Sequence, residues 1–218
     1  MNRAANRLFA VSTAAFVFVS AAAGAGLFED LDRWTLHASQ IVVSGALDTL
    51  GGFLSLAGSL EVIGAALITL LAVLFVSGRG RLGRRLLAAF IFTGFVELAL
   101  KLLLPTPPVP EATARAADPT LLVALEHPFP YPSGHTLRSV LLLGAVFVLW
   151  NNGIARAVVV ICLAGMALSR VYLGVHWASD VLGGAILGIV GLAWTFRKRS
   201  ATAISRQLRS EDRLSESG

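Results

Sequence analysis

Six apolar runs, at about 8–27, 58–77, 84–104, 135–150, 154–173 and 177–196, divide this chain. A bilayer's hydrocarbon core is about 30 Å thick and takes about 20 apolar residues of helix to cross. No water reaches a backbone N–H or C=O there, so a spanning segment must close its own hydrogen bonds or share them around a closed barrel. The runs are continuous rather than alternating, which selects the helix. With 56% of its 218 residues hydrophobic and only 14% charged, the chain is an integral membrane protein. The expected class is all-α and polytopic, with six transmembrane helices. Two of the later runs are short, which suits helices shielded by neighbours or lining a wet cavity.

Residues 30–50 place Leu31, Trp34, Ile41 and Leu47 among Asp32, Arg33, His37 and Asp48, the pattern of an amphipathic helix on the membrane surface. Orientation follows from the cations near run ends, because excess positive charge stays cytoplasmic. Arg3 and Arg7, Arg79, Arg81, Arg84 and Arg85, Arg156, and Arg197, Lys198 and Arg199 all fall on one side. Segments 28–57, 105–134 and 171–176 then face outward. The expected location is the plasma (cytoplasmic) membrane, multi-pass, with the C-terminus cytoplasmic. The small residues of SAAAGAG would also suit signal cleavage; the first run is taken as an uncleaved span, and either choice orients the later spans alike. Residues 1–199 form the membrane domain and 200–218 a polar cytoplasmic tail. The single cysteine, Cys162, allows no disulfide or thiolate metal site within one chain. The net charge of +5 clusters beside the apolar runs without a basic-aromatic surface, so it reads as topology and not as a nucleic-acid footprint.

Ionisable residues in such segments are costly and mark candidate sites. They are Glu97, Lys101, Arg138, Arg170, His176 and Asp180, and the topology delivers Lys101, His135, Arg170, His176 and Asp180 from four helix ends to the outer face. His176 and Asp180, four apart, share a helix face on which the carboxylate can hold one ring nitrogen. Gly174 permits a bend that returns Arg170 to the same spot. Taken alone, the pair would equally serve as an interfacial anchor. Ser133 is a candidate N-cap which, with Gly134, aims helix N-terminal N–H groups at an anion beside His135. Pro132 stiffens the approach, and a plain capped helix start is the alternative. Glu97, one turn before Lys101, is expected to pair with it. His37 and His127 show no partner in the sequence and read as interfacial, Tyr172 and Trp177 as an aromatic belt, and Gly51, Gly52, Gly64, Gly94, Gly165, Gly183, Gly184, Gly188 and Gly191 as close-packing positions.

Two histidines, several cations and a helix N-terminus suit phosphoryl transfer, in which charge spreads over three oxygens. The sequence has no Walker loop, nucleotide glycine motif or carboxylate cluster for magnesium, which leaves metal-free covalent catalysis through histidine. No metal or other cofactor is expected.

The residues resemble the type-2 phosphatidic acid phosphatase family of membrane lipid phosphatases, whose signature is Lys-x6-Arg-Pro, Pro-Ser-Gly-His and Ser-Arg-x5-His-x3-Asp. Pro132-Ser133-Gly134-His135 matches the second part, and Ser169-Arg170 through His176 to Asp180 the third. The likeness extends over about residues 1–197. The first part departs: six residues after Lys101 stand Pro108 and Val109 where arginine and proline are expected. Arg138, three residues beyond His135, and Arg115 in the outer loop are the two candidate replacements, and a headgroup-layer position is the alternative for Arg138. The resemblance implies that His176 attacks phosphorus, Asp180 sets its tautomer and His135 protonates the leaving oxygen. Lys101, Ser133, Gly134, Arg170 and Arg138 would bind the phosphoryl oxygens. The implied substrates are phosphorylated membrane lipids: isoprenoid diphosphates such as undecaprenyl diphosphate, phosphatidylglycerol phosphate or phosphatidic acid. The outer loop 105–134 is the expected determinant of headgroup choice. A lipid phosphotransferase and a catalytically inactive lipid-binding relative are the rival readings, and no obligate protein partner is expected.

Overall fold

The structure, a computed structural model, describes residues 2–115 and 129–197. The described residues are helical: α1 (Asn2–Gly24), α2 (Glu29–Ser39), α3 (Gly45–Ala57), α4 (Leu60–Val76), α5 (Gly80–Leu103), α6 (Gly134–Leu149), α7 (Gly153–Tyr172) and α8 (Ala178–Phe196), with a 3₁₀ turn at Glu111–Thr113. Four of them, α1 from Ala4, α5, α7 and α8, are long and apolar enough to cross a membrane. The pair α3 and α4, bent by 46° at their junction, makes a fifth if counted as one broken span. The fourth apolar run forms α6, only 16 residues long and buried along much of its length.

The single surface helix expected over 30–50 is replaced by two helices. Ser44 caps the second of them, accepting from the Leu47 N–H at 3.2 Å, and Ser59 caps α4 through the Val62 N–H at 3.3 Å. Each hydroxyl satisfies a donor that a helix start leaves orphaned, which is why the chain breaks at these points. His127 and the tail 200–218 lie outside the described residues.

α8 packs against α1, α5 and α6, while α7 carries α3 on one flank and α6 on another. A core of Ile63, Leu67, Leu74, Leu86, Ala89, Leu141, Leu142 and Ala145 fills the space between α4, α5 and α6. Outward, Phe18, Ile91, Phe92, Phe95, Ile161 and Leu168 are exposed, as lipid-facing side chains of spanning helices should be. At the opposite end from the candidate site, Arg85 donates to the carbonyls of Trp194 and Arg197, satisfying the C-terminal acceptors of α8.

α6 and α8 approach closely because α8 presents glycines to α6. A Cβ at Gly184 would stand 2.3 Å from the Ser133 carbonyl oxygen, and one at Gly188 2.8 Å from that of Leu137. Backbone-to-backbone approach of this kind is the usual use of small residues between membrane helices. Gly64 and Gly94, by contrast, face open space.

Candidate active site

The link between α7 and α8 folds tightly. Gly174 adopts φ +69°, and a Cβ there would meet the Thr113 carbonyl oxygen at 2.2 Å, so no other residue fits this turn. The N–H groups of Val175 and His176 both lie 3.2 Å from the Arg170 carbonyl oxygen. His176 is thereby returned to the end of α7, beside Arg170, as the sequence suggested.

His176 Nδ1 lies 3.2 Å from Asp180 Oδ2, and the same oxygen accepts the Trp177 N–H at 2.9 Å. Both side chains are buried. A carboxylate held by a backbone donor at a helix start is a fixed reference for the imidazole, setting which ring nitrogen carries the proton. The other oxygen, Asp180 Oδ1, is buried with no hydrogen-bond partner among the described residues.

The second motif joins the third through the backbone: the Ser133 N–H donates to the Asp180 carbonyl oxygen at 2.9 Å. Ser133 stands at the N-cap position of α6, but its hydroxyl accepts no helix N–H; it lies 3.2 Å from the Thr136 hydroxyl instead. The cradle is thus a helix N-terminus whose first donors are not consumed by a Ser133 cap. Tyr131, fully buried just before it, meets Ser20 of α1 at 2.9 Å and packs on Gly183. Burial pushes its phenol up to about 12, so it stays neutral.

His135 sits in the first turn of α6 against the α3–α4 break, where a Cβ on Gly58 would be 3.4 Å from its ring. Arg170, Arg138, His176 and Lys101 all act electrostatically on His135, and Lys101 acts on Asp180. The start of α6 and the α7–α8 link thus bring the two histidines to one locus, and the ends of α5 and α7 place Lys101 and Arg170 beside them. Arg170, 1% exposed, donates to Ser55 of α3. Lys101 and Arg138 both engage Glu97, at 3.3 and 2.7 Å. Arg115 is held elsewhere, in an ion pair with Asp48 at 2.8 Å under the Tyr172 hydroxyl, and its N–H donates to the Leu173 carbonyl oxygen. The described part of segment 105–134 is strapped over the α7–α8 turn by that bond, by Trp177 Nε1 to Pro107 O at 2.7 Å and by Gln40 Nε2 to Thr113 O at 2.9 Å.

Two contributors carry no sequence signal. Ser55 lies between the 30–50 segment and the second apolar run, with nothing to mark it. Asp32 sits in a segment that reads as amphipathic surface, yet is buried, with its carboxylate accepting the Ser179 N–H at 2.8 Å and the Ser179 hydroxyl at 2.6 Å. Burial raises the Asp32 carboxyl above its ordinary range, and the two Ser179 donors oppose the rise. Asp32 thus caps, from another helix, the start of α8 that bears Asp180. Asp32→Ala should cost about 1–2 kcal/mol, the range for a lost helix cap, read as a lower thermal midpoint in detergent.

A bundle of apolar helices that gathers two histidines, a carboxylate and several cations at one end defines a polytopic membrane protein with a candidate anion site. The PAP2 superfamily model matches residues 82–203, more than half the chain, and the chain belongs to that superfamily. The putative undecaprenyl-diphosphatase YbjG of Escherichia coli (strain K12) is 34% identical over 61 residues, 28% of this chain and 30% of that protein. An undecaprenyl-diphosphatase of Sulfolobus acidocaldarius is 43% identical over 67 residues, 28% and 29% of the two chains. The matches thus span less than a third of either relative's length. Among solved structures, the first transmembrane PAP2 type phosphatidylglycerolphosphate phosphatase from Bacillus subtilis superposes with TM-score 0.67 at 19% identity, over 86% of this chain and 93% of that one. Aquifex aeolicus LpxE gives 0.59 at 23% identity, over 77% and 96%. At these identities the likeness is one of fold.

Proposed function

We propose that the protein is a metal-independent lipid phosphatase of six spans, with α3–α4 as the broken span and α6 as the short one, and its site on the outer face. One observation carries the reading: the Ser133 N–H bonds the Asp180 carbonyl oxygen at 2.9 Å, which sets His135 at the start of α6 beside the His176–Asp180 pair, with Arg170 at the end of α7 and with Lys101 and Arg138 joined on Glu97 under Gly134. The undecaprenyl-diphosphatase and phosphatidylglycerolphosphate phosphatase relatives support a phosphorylated membrane lipid as substrate.

In the proposed reaction, His176 attacks phosphorus through Nε2 while Asp180 holds Nδ1. The phosphorus–oxygen bond to the leaving group breaks, and His135 gives that oxygen a proton. Lys101, Arg138, Arg170 and the N–H groups at Gly134 and beyond stabilise the phosphoryl oxygens. Water, losing its proton to His135, then attacks the phosphohistidine and releases inorganic phosphate. A cleft of about 550 Å³ opens beside Ser169, between Trp34, Leu50, Leu54, Leu168 and Tyr172, on the apolar side of the site. Its walls suit hydrocarbon, and Ser169 and Val171, the neighbours of Arg170 in α7, are among its lining residues.

Purified protein given undecaprenyl diphosphate or phosphatidylglycerol phosphate in excess chelator should release inorganic phosphate at an undiminished rate. Loss of turnover on chelation, restored by a divalent cation, would replace this chemistry with a metal-assisted one. Phosphate appearing on an added acceptor alcohol instead of in water would mark a phosphotransferase.

A further inference from the structure

Between the two histidine motifs lies an ion cluster centred on a residue that belongs to neither. Glu97 of α5 is buried, 6% exposed. Its Oε2 accepts from Arg138 of α6 at 2.7 Å and its Oε1 stands 3.3 Å from Lys101 Nζ, one turn further along α5. The backbone of Gly134 is seated on this pair: a Cβ there would meet Glu97 Oε1 at 1.9 Å and Arg138 Nη2 at 2.5 Å. Any side chain at position 134 would therefore displace the carboxylate beneath it. Lys101 and Arg138, in turn, are two of the four charged or titratable groups that act on His135. One carboxylate thus orients cations from two helices beside the histidine and offsets one unit of their charge.

We propose that Glu97 is a positioning residue that fixes Lys101 and Arg138 at the phosphoryl site and weakens the site's hold on inorganic phosphate so that product can leave. The inference rests on the phosphatase reading above. Three cations and a helix N-terminus in a low-dielectric rim would bind a phosphate dianion tightly; a fixed carboxylate within a few ångströms repels it. It also keeps two long side chains in a single geometry, which matters to the transition state more than to product. Removing the charge while keeping the shape therefore pushes two quantities in opposite directions. Phosphate binds more tightly and kcat falls. A merely structural role would weaken both.

The test uses the full-length protein in detergent, with inorganic phosphate as the probe. Phosphate binding is measured by calorimetry, and competitive inhibition of lipid hydrolysis alongside it, for the wild type, Glu97→Gln and Glu97→Asp. Glu97→Gln should bind phosphate about tenfold more tightly, from the loss of one nearby buried charge, with kcat reduced. Glu97→Asp should move both quantities back toward wild type. Removing one cation as well, in Glu97→Gln/Arg138→Met, should return the affinity to near the wild-type value. Phosphate affinity that is unchanged within twofold, or weaker, in Glu97→Gln overturns the proposal. Binding is read without turnover, so it decides the role of Glu97 even where the wild type releases no phosphate from lipid, the outcome that would defeat the phosphatase reading itself.

Discussion

Replacing His176 by alanine is expected to lower phosphate release from lipid by about 10⁴-fold or more, because the covalent route then has no nucleophile. The same loss is expected of Asn, which keeps polarity without a nucleophilic nitrogen. Asp180→Asn should be milder but still severe, roughly 10²–10⁴-fold, since the amide can hold the imidazole in the wrong tautomer. The two variants differ in kind: one removes the reacting atom, the other misorients it. Rapid acid-free quenching during turnover adds a second readout. Phosphorus NMR of the denatured wild-type protein should show a phosphoramidate, strengthened by His135→Ala where the leaving group needs no proton, because that variant lacks the base for the hydrolytic step. His176→Ala protein should show none. Full turnover by His176→Ala, or a phosphoryl group on another residue, would end the mechanism.

That prediction leans on residues legible in the sequence, and the reason is spacing. His176 and Asp180 are four apart and meet at 3.2 Å, although not along one helix face: His176 stands before the Trp177 N-cap of α8, and the contact closes over the helix start. Glu97 and Lys101 are likewise four apart and pair at 3.3 Å. Ser133 to His135 is a local run at a helix start. The longest apolar runs were readable because length alone marks them. What was not readable is separated along the chain: Ser55 reaches Arg170 across 115 residues, Asp32 reaches Ser179 across 147, and Glu97 reaches Arg138 across 41. No periodicity encodes such meetings, and a serine between two segments or an aspartate in an amphipathic one has an ordinary local explanation. Segment 30–50 misled for a related reason. Its polar residues suggested water, whereas Asp32 and Asp48 face protein, bonded to Ser179 and to Arg115 and Tyr172. A hydrophobic pattern shows which side of a helix is polar and not what that side touches. The first motif is the instructive case. With Pro108 where an arginine is expected, Arg138 is the first substitute and Arg115 a weaker one; Arg115 is tied to Asp48, while Arg138 is tied to Glu97 on the same helix as His135.

Gly184→Ala is expected to be nearly as damaging as a change in the chemistry, although no side chain of the site is touched. A Cβ there would lie 2.3 Å from the Ser133 carbonyl oxygen and 3.3 Å from the Leu137 N atom, both backbone atoms that cannot rotate aside. The first turn of α6 must then back away from α8. Ser133 N–H is bonded to the Asp180 carbonyl oxygen at 2.9 Å, so the same displacement pulls the N-terminus of α6 from His176 and Asp180. Overpacking of this kind costs about 1–3 kcal/mol of stability. A misplacement near 1 Å between cradle and nucleophile should cost about 100-fold in kcat, so activity falls much further than stability. Gly184→Val should add to both losses. Gly94→Ala is the matched control, since nothing lies within 4 Å of a Cβ at that position and alanine favours the helix. Thermal unfolding and turnover measured together in detergent would separate the cases: a folded, inactive Gly184→Ala beside an active Gly94→Ala is the expected pair. Wild-type turnover in Gly184→Ala would mean that the α6–α8 contact does not set the site, and that the two histidines are brought together by something other than the glycine face of α8.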